Sequence, residues 1–236
     1  DLPKSTVHRM LQVLAKHRLI RQDAETRRYR LGLGILDLAN KLLAQQHIRS
    51  VALPHLIKLR DNCGEAVYLT VFDEEENACV CVEALQTRGN VRFFVEVGRK
   101  MPINCSASSK AIVAYLPPEK VKKVVATSEL PAYTERTITD RGKLLQHLAE
   151  VRERGYAICD EELDIGVRAV AAPILDLNGI AVASVAALGP SKRFEGEFMD
   201  RIIAMVIETA KEISAEFTGG APPAGEVRRD GVERRR

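Results

Sequence analysis

Three short apolar runs within residues 156–188, YAICD (156–160), AVAAPILD (169–176) and IAVASVAAL (180–188), restrict the fold of this chain more than any other feature. They read as strands, the last two joined at Asp176–Gly179 by Asn-Gly turn chemistry. A matching group precedes them: AVYLTVFD (66–73), ACVCVEAL (78–85) and NVRFFVEV (90–97), dense in Val, Phe and Tyr and separated by acidic or Gly-containing turns. Helical patterns occupy 106–115, 118–126, 140–154 (ended by Gly155) and 195–217. Six strands in two groups of three, with helices between and after, predict an α/β (α+β) domain on a mainly antiparallel sheet flanked by helices.

The front of the chain is built differently. Val7, Met10, Leu11 and Leu14 recur at helical spacing behind Ser5, a candidate N-cap, and Lys4, Thr6, His8, Arg9, Gln12 and Lys16 take the opposite face. Two extended segments around the polar turn DAETR then predict a β-hairpin. A helix followed by a basic hairpin is the second half of a winged helix-turn-helix, whose recognition helix enters the major groove while the wing meets phosphates. Candidate DNA contacts are therefore Lys4, Ser5, Thr6, His8, Arg9 and Gln12 on the helix, with Arg27 and Arg28 on the wing. An ordinary amphipathic helix with a solvated basic face is the alternative.

Charge is distributed to match. Residues 1–30 carry a surplus of five positive charges and residues 226–236 a surplus of two, so the total of +3 leaves the intervening body at −4. The segment after Gly219, APPAGEVRRDGVERRR, has no apolar periodicity and is expected to be a disordered basic tail. Five cysteines without disulfide-like spacing, and no apolar run near 18 residues, point to a reduced cytoplasmic setting with no membrane. Cys79 and Cys81 alternate onto one strand face and are expected to pack there rather than to hold a metal.

LPKSTVHRMLQVLAKHRLI, RRYRLGLGILDLA, CSASSKAIVAYLP and the long stretch GYAICDEELDIGVRAVAAPILDLNGIAVASVAALGP together resemble the isocitrate-lyase-regulator (IclR) family of bacterial transcription regulators, from about Leu2 to Phe217. The resemblance implies a partial winged-helix domain (1–33), a helical linker (34–62), a GAF-like effector-binding domain (63–218) and the tail (219–236). It also implies that the chain opens part-way through the DNA-binding domain, so operator binding by these residues alone is expected to be weak. Homodimers or homotetramers, operator DNA (for the full-length protein) and a small organic-acid or aromatic-acid effector are the implied partners.

Carried over position by position, the resemblance places Phe93, Met101, Cys105, Ser106, Ala107, Ser108, Cys159, Ala169, Ala186 and Leu188 around the effector. Ser106 and Ser108 stand at a helix start, where free N–H groups favour a carboxylate, so an organic acid is expected. Asn104 replaces a His common in the family, Ser109 a Gly, and Cys159 an Asp. With Ala186 and Leu188 adding apolar wall, these changes predict an aromatic or longer-chain acid. The acidic run Asp160, Glu161, Glu162 and Asp164 with Arg168 is expected to shape a loop by ion pairing. No G-x-S-x-G elbow, phosphate loop or dinucleotide fingerprint is present, so no catalytic residue, cofactor or metal is assigned. A stand-alone sensor acting through protein contacts is the alternative function.

Overall fold

The computed structural model describes residues 2–45, 47–87 and 95–219, in two compact units that divide at Gln46/His47. The basic tail and Phe93 fall outside the described residues.

The first unit comprises α1 (Lys4–Lys16), β1 (Ile20–Gln22), β2 (Tyr29–Leu31) and α2 (Gly34–Gln45). Ser5 is not the cap of α1: Pro3 holds that position, and its carbonyl accepts from Thr6 and Val7 while its fixed φ suits a helix start. No residue of α1 is buried. The hairpin pairs Arg21 with Arg30, and the Asp23 carboxylate accepts from the Thr26 and Glu25 N–H groups to form the turn. Gly32 closes the unit, because its N–H bonds the Leu19 carbonyl and a Cβ there would lie 2.1 Å from the Arg18 oxygen.

The second unit is a six-stranded sheet ordered β5-β4-β3-β8-β7-β6, with every pairing antiparallel. Its strands are β3 (Ala66–Asp73), β4 (Ala78–Leu85), β5 (Lys100–Met101), β6 (Ala157–Asp160), β7 (Val167–Leu175) and β8 (Ala181–Pro190). The strand expected at 90–97 is not found where it is described: Val95–Val97 lead into a turn, and only Lys100–Met101 pair with β4. Residues 88–94 lie outside the described residues. The β7–β8 turn forms as expected, with the Asp176 carboxylate accepting from the Asn178 and Ile180 N–H groups. Those bonds hold its carboxyl below the usual range.

Strand alternation gives the sheet two apolar faces. Tyr68, Ala169, Ala171, Ala186 and Leu188 share one core with α4 (Ala107–Val113), α5 (Pro118–Thr127) and α6 (Arg141–Arg154). The run of alanines lets α4 lie close over β7 and β8. Cys79 and Cys81 belong to the same core, and burial pushes both thiols up to about 12. On the opposite parity, Val67, Leu69, Val170, Ile174 and Val185 are buried, and α3 (His47–Cys63) and α7 (Gly196–Gly219) pack on the sheet. Each such Val or Leu contributes about 1.5–3 kcal/mol on burial.

The linker expected over 34–62 therefore divides. Its first helix groups with the first unit, whereas α3 packs on α7 and is tied to it by His55, whose ring nitrogens lie 3.1 and 2.8 Å from Glu212 and Glu216. α3 runs through Pro54, which gives up one helical hydrogen bond.

Candidate functional site

A cavity of about 300 Å³ opens on the α4 side of the sheet. Its wall is drawn from Tyr68 on β3, Met101 on β5, Ser106 and Ala107 at the start of α4, Cys159 on β6, Val167 and Ala169 on β7, and Leu188 on β8. Val95 and Arg99 before β5 and Leu163 and Asp164 in the β6–β7 loop complete it.

Six of the ten expected residues border this space: Met101, Ser106, Ala107, Cys159, Ala169 and Leu188. Cys105, Ser108 and Ala186 are buried beside it without reaching its surface. Ser108 turns inward, its hydroxyl 2.9 Å from that of Ser106 and its carbonyl accepting from Ser184. Ala186 pairs across from Tyr68, and the longer side chain of that pair is the one that lines the cavity.

Ser106 holds the N-cap position of α4 but makes no side-chain cap bond. Its hydroxyl instead joins a small network with Ser108 and the Tyr68 phenol. Burial pushes that phenol up, and the two serine hydroxyls act in the opposite sense. Cys105 is pushed up to about 12 and Cys159 is also raised, both by burial, so both thiols stay protonated and that of Cys159 presents a weakly polar wall. Among the described residues no group of three His, Cys, Asp or Glu side chains is placed to hold a metal ion.

The replaced positions acquire their own roles. The Asn104 amide donates to the carbonyls of Pro131 and Ile138, pinning the segment between α5 and α6. Ser109 donates to the Met101 carbonyl at 2.8 Å and so ties α4 to β5.

Beside the cavity, the β6–β7 loop is held from several directions. Arg168 and Arg136 both pair with Asp160, at 2.6 and 2.8 Å, as the ion-paired reading of this run predicts. The hydroxyls of Thr134 and Thr137 donate to the carbonyls of Glu161 and Glu162 at 2.7 and 2.6 Å. Glu162 itself reaches under the loop to Lys110 of α4, a fully buried ammonium lying 2.7 and 2.6 Å from its two carboxylate oxygens. Nothing in the sequence singles out Lys110, which appears only as the end of the SASSK stretch (106–110).

The family model described as the C-terminal domain of the bacterial transcriptional regulator IclR matches residues 40–215, and the IclR helix-turn-helix model matches residues 1–24. The chain belongs to the IclR family. It is 30% identical to the transcriptional repressor IclR of Escherichia coli over 218 residues, covering 92% of this chain and 80% of that one. The crystal structure of Thermotoga maritima IclR superposes with a TM-score of 0.76 at 28% identity, covering 91% of this chain and 86% of that chain. An IclR homolog from Microbacterium hydrocarbonoxydans, complexed with 4-hydroxybenzoate, has the same fold: TM-score 0.77, 24% identity, and coverage of 93% and 88%. IclR relatives are transcriptional regulators, and the IclR C-terminal domain, which holds the cavity, is the effector-binding domain.

In the first unit, Lys4, Ser5, His8, Arg9 and Gln12 of α1 and Arg27 and Arg28 of the hairpin are exposed, with Thr6 half-buried. Gln12 and His8 contact each other at 3.1 Å, one helical turn apart. Both therefore lie on one exposed face of α1.

The cavity residues missed by the sequence reading had uneven signals. Tyr68 was legible from strand parity, two residues after Ala66 on the face that also carries Ala186 and Leu188. Leu163, Asp164 and Val167 sit inside or just after an acidic run that reads as purely structural, and Val95 and Arg99 sit within and just after a run that reads as a strand but has no strand pairing at 95–99.

Proposed function

We propose that the cavity binds a small organic acid with an apolar body, and that occupancy sets the affinity of the winged-helix unit for operator DNA. The observation that carries this reading is the lining: Val95, Met101, Leu163, Val167 and Leu188 surround a few polar groups, namely Arg99, Asp164, Ser106, the Cys159 thiol and Tyr68. Met101, Ser106, Ala107, Cys159, Ala169 and Leu188 are the contacts assigned, with Cys105, Ser108 and Ala186 backing them. The protein acts as a regulator rather than an enzyme, in the bacterial cytoplasm, as a homodimer or homotetramer. Residues 63–218 sense the effector, 34–62 transmit, and 1–33 grip DNA.

Transmission is a population shift. An acid that fits one geometry of the effector domain better than another biases α2 and α3, and these set the distance between two recognition helices. Half-sites lie about 34 Å apart per turn of DNA, so a few ångströms change the fit. Calorimetric titration with 4-hydroxybenzoate, phenylacetate and hexanoate tests the site: saturable binding is expected, and Ala169→Phe, which fills the cavity, is expected to remove it. Operator affinity measured by anisotropy should then change under saturating acid, and an unchanged affinity rules out the coupling.

On the DNA side, Arg9→Ala or Gln12→Ala is expected to cost about 1–3 kcal/mol on the preferred sequence and to relax base preference. Arg28→Ala is expected to weaken all sequences alike and reduce the salt slope by about one. Identical profiles for the two classes contradict the division into base-reading and phosphate contacts.

A further inference from the structure

The β6–β7 loop that walls the cavity is bonded on its other side to the start of α7. Val167 borders the space, and the residues before and after it both reach away from it. The Gly166 carbonyl accepts from the Ser191 N–H at 2.8 Å. The Arg168 guanidinium is shared: Nε and Nη2 lie 2.6 Å from one oxygen of Asp160 on β6, while Nη1 donates to the Phe194 carbonyl, just ahead of α7. Glu161, held at φ +56° in the same loop, accepts from the Ser191 hydroxyl and the Gly166 N–H, and these bonds keep its carboxyl below the usual range. Three bonds thus cross from the loop to residues 191–194.

The receiving corner is itself fixed. Phe194 is fully buried with its ring edge-on to that of Phe198 on α7 at 5.6 Å, and a Cβ at Gly189 of β8 would lie 2.4 Å from it. Arg193 pairs at 3.0 Å with the buried Glu65, just ahead of β3. A displacement of Val167 therefore has a short, bonded route into the first turn of α7, which packs along α3. The loop's ties to Lys110, Thr134 and Thr137 run the other way, into the α4 side of the sheet.

We infer that Arg168 is the positioning residue through which an occupied cavity is felt at the start of α7, its guanidinium joining the cavity loop to the 191–194 corner. This rests on the effector-site reading above and names the link that couples that site to the α3–α7 pair. A planar guanidinium can serve the Asp160 carboxylate along one edge and a carbonyl with its remaining nitrogen, whereas an ammonium is a single point of attachment. Arg168 does not border the cavity, so a change there leaves the ligand's contacts in place.

Hydrogen exchange read by mass spectrometry tests the link, on the whole protein with and without whichever of 4-hydroxybenzoate, phenylacetate and hexanoate binds most tightly by calorimetry. In the natural protein, amides at 193–200 are expected to exchange about fivefold more slowly with the acid bound. Arg168→Lys is expected to bind the acid within about threefold of the natural affinity and to keep the protection of β7 and the α4 start, while the slowing at 193–200 falls below about twofold. A residue serving stability alone would change exchange equally with and without the acid and leave that ratio as it was. Should Arg168→Lys not fold, Ser191→Ala decides instead: it removes only the hydroxyl that Glu161 accepts from, and is expected to lose about half of the slowing. Binding without any slowing at 193–200 in the natural protein, or a ratio that the folded variant retains in full, overturns the link and leaves the effector site standing. If none of the three acids binds, the effector-site reading falls and the link with it.

Discussion

Lys110→Met is expected to lower the unfolding free energy by about 3–5 kcal/mol, as removal of one partner from a buried ion pair generally does. Lys110 has no exposed surface, and its ammonium is within 2.7 Å of both oxygens of Glu162. Without it, Glu162 keeps only a 3.4 Å contact with the Asp160 N–H. Burial already pushes the Glu162 carboxyl up, and Lys110 pulls it back. In the variant that counterweight is gone, so Glu162 takes up a proton at higher pH than in the unfolded chain. Its folded pKa then exceeds the unfolded one, and stability is lost as pH rises through the folded value. The deficit measured by urea unfolding should thus be smaller at pH 5.5 than at pH 7.5. Lys110→Met/Glu162→Leu should recover most of it, because a buried pair replaced by apolar groups of similar volume is close to neutral. A single variant as stable as the natural protein at pH 7.5 contradicts the role assigned to the pair.

A second large effect is expected on acidification, through His147. Burial, with the positive charges of Lys110 and Arg154 in support, pushes its imidazole down from 6.5 to about 4, and its Nε2 is buried with no hydrogen-bond partner. Below pH 6.5 the unfolded chain binds a proton at this residue that the folded chain refuses until about pH 4. The contribution of His147 is present above 6.5 and is lost as pH falls through that window. Two and a half units correspond to about 3 kcal/mol at most, and partial exposure of the ring reduces it to about 2 kcal/mol. His147→Leu should therefore flatten the pH dependence of the unfolding free energy between 6.5 and 4. A slope that persists unchanged in that variant assigns the effect to other groups.

The sequence made most of the second unit legible for a definite reason. Its strands alternate cleanly, the Asp176–Gly179 turn carries its own hydrogen-bonding side chain, and Asp140 and Gly155 bracket α6 in the cap positions where their chemistry is useful. The cavity was legible only where it is made of strand residues and the α4 start. Arg99, Leu163 and Asp164 lie on turns, and a turn has no period from which to infer which way a side chain faces. Lys110 was illegible in a stronger sense: a lysine is ordinarily exposed, and only its long-range encounter with Glu162 makes full burial affordable. Ser5 misled because a good capping residue sat two positions inside a helix that Pro3 begins.

The middle of the sheet is the ladder between β3 and β8, which joins Ala66 to Leu188, roughly 120 residues further on, so contacts that distant must form late and slowly. A nascent chain leaving the ribosome holds β3 and β4 as an unfinished half until β8 emerges, with the flank of β3 open to any stray strand. A premature stop ahead of β8 thus yields a sticky product rather than a smaller working sensor.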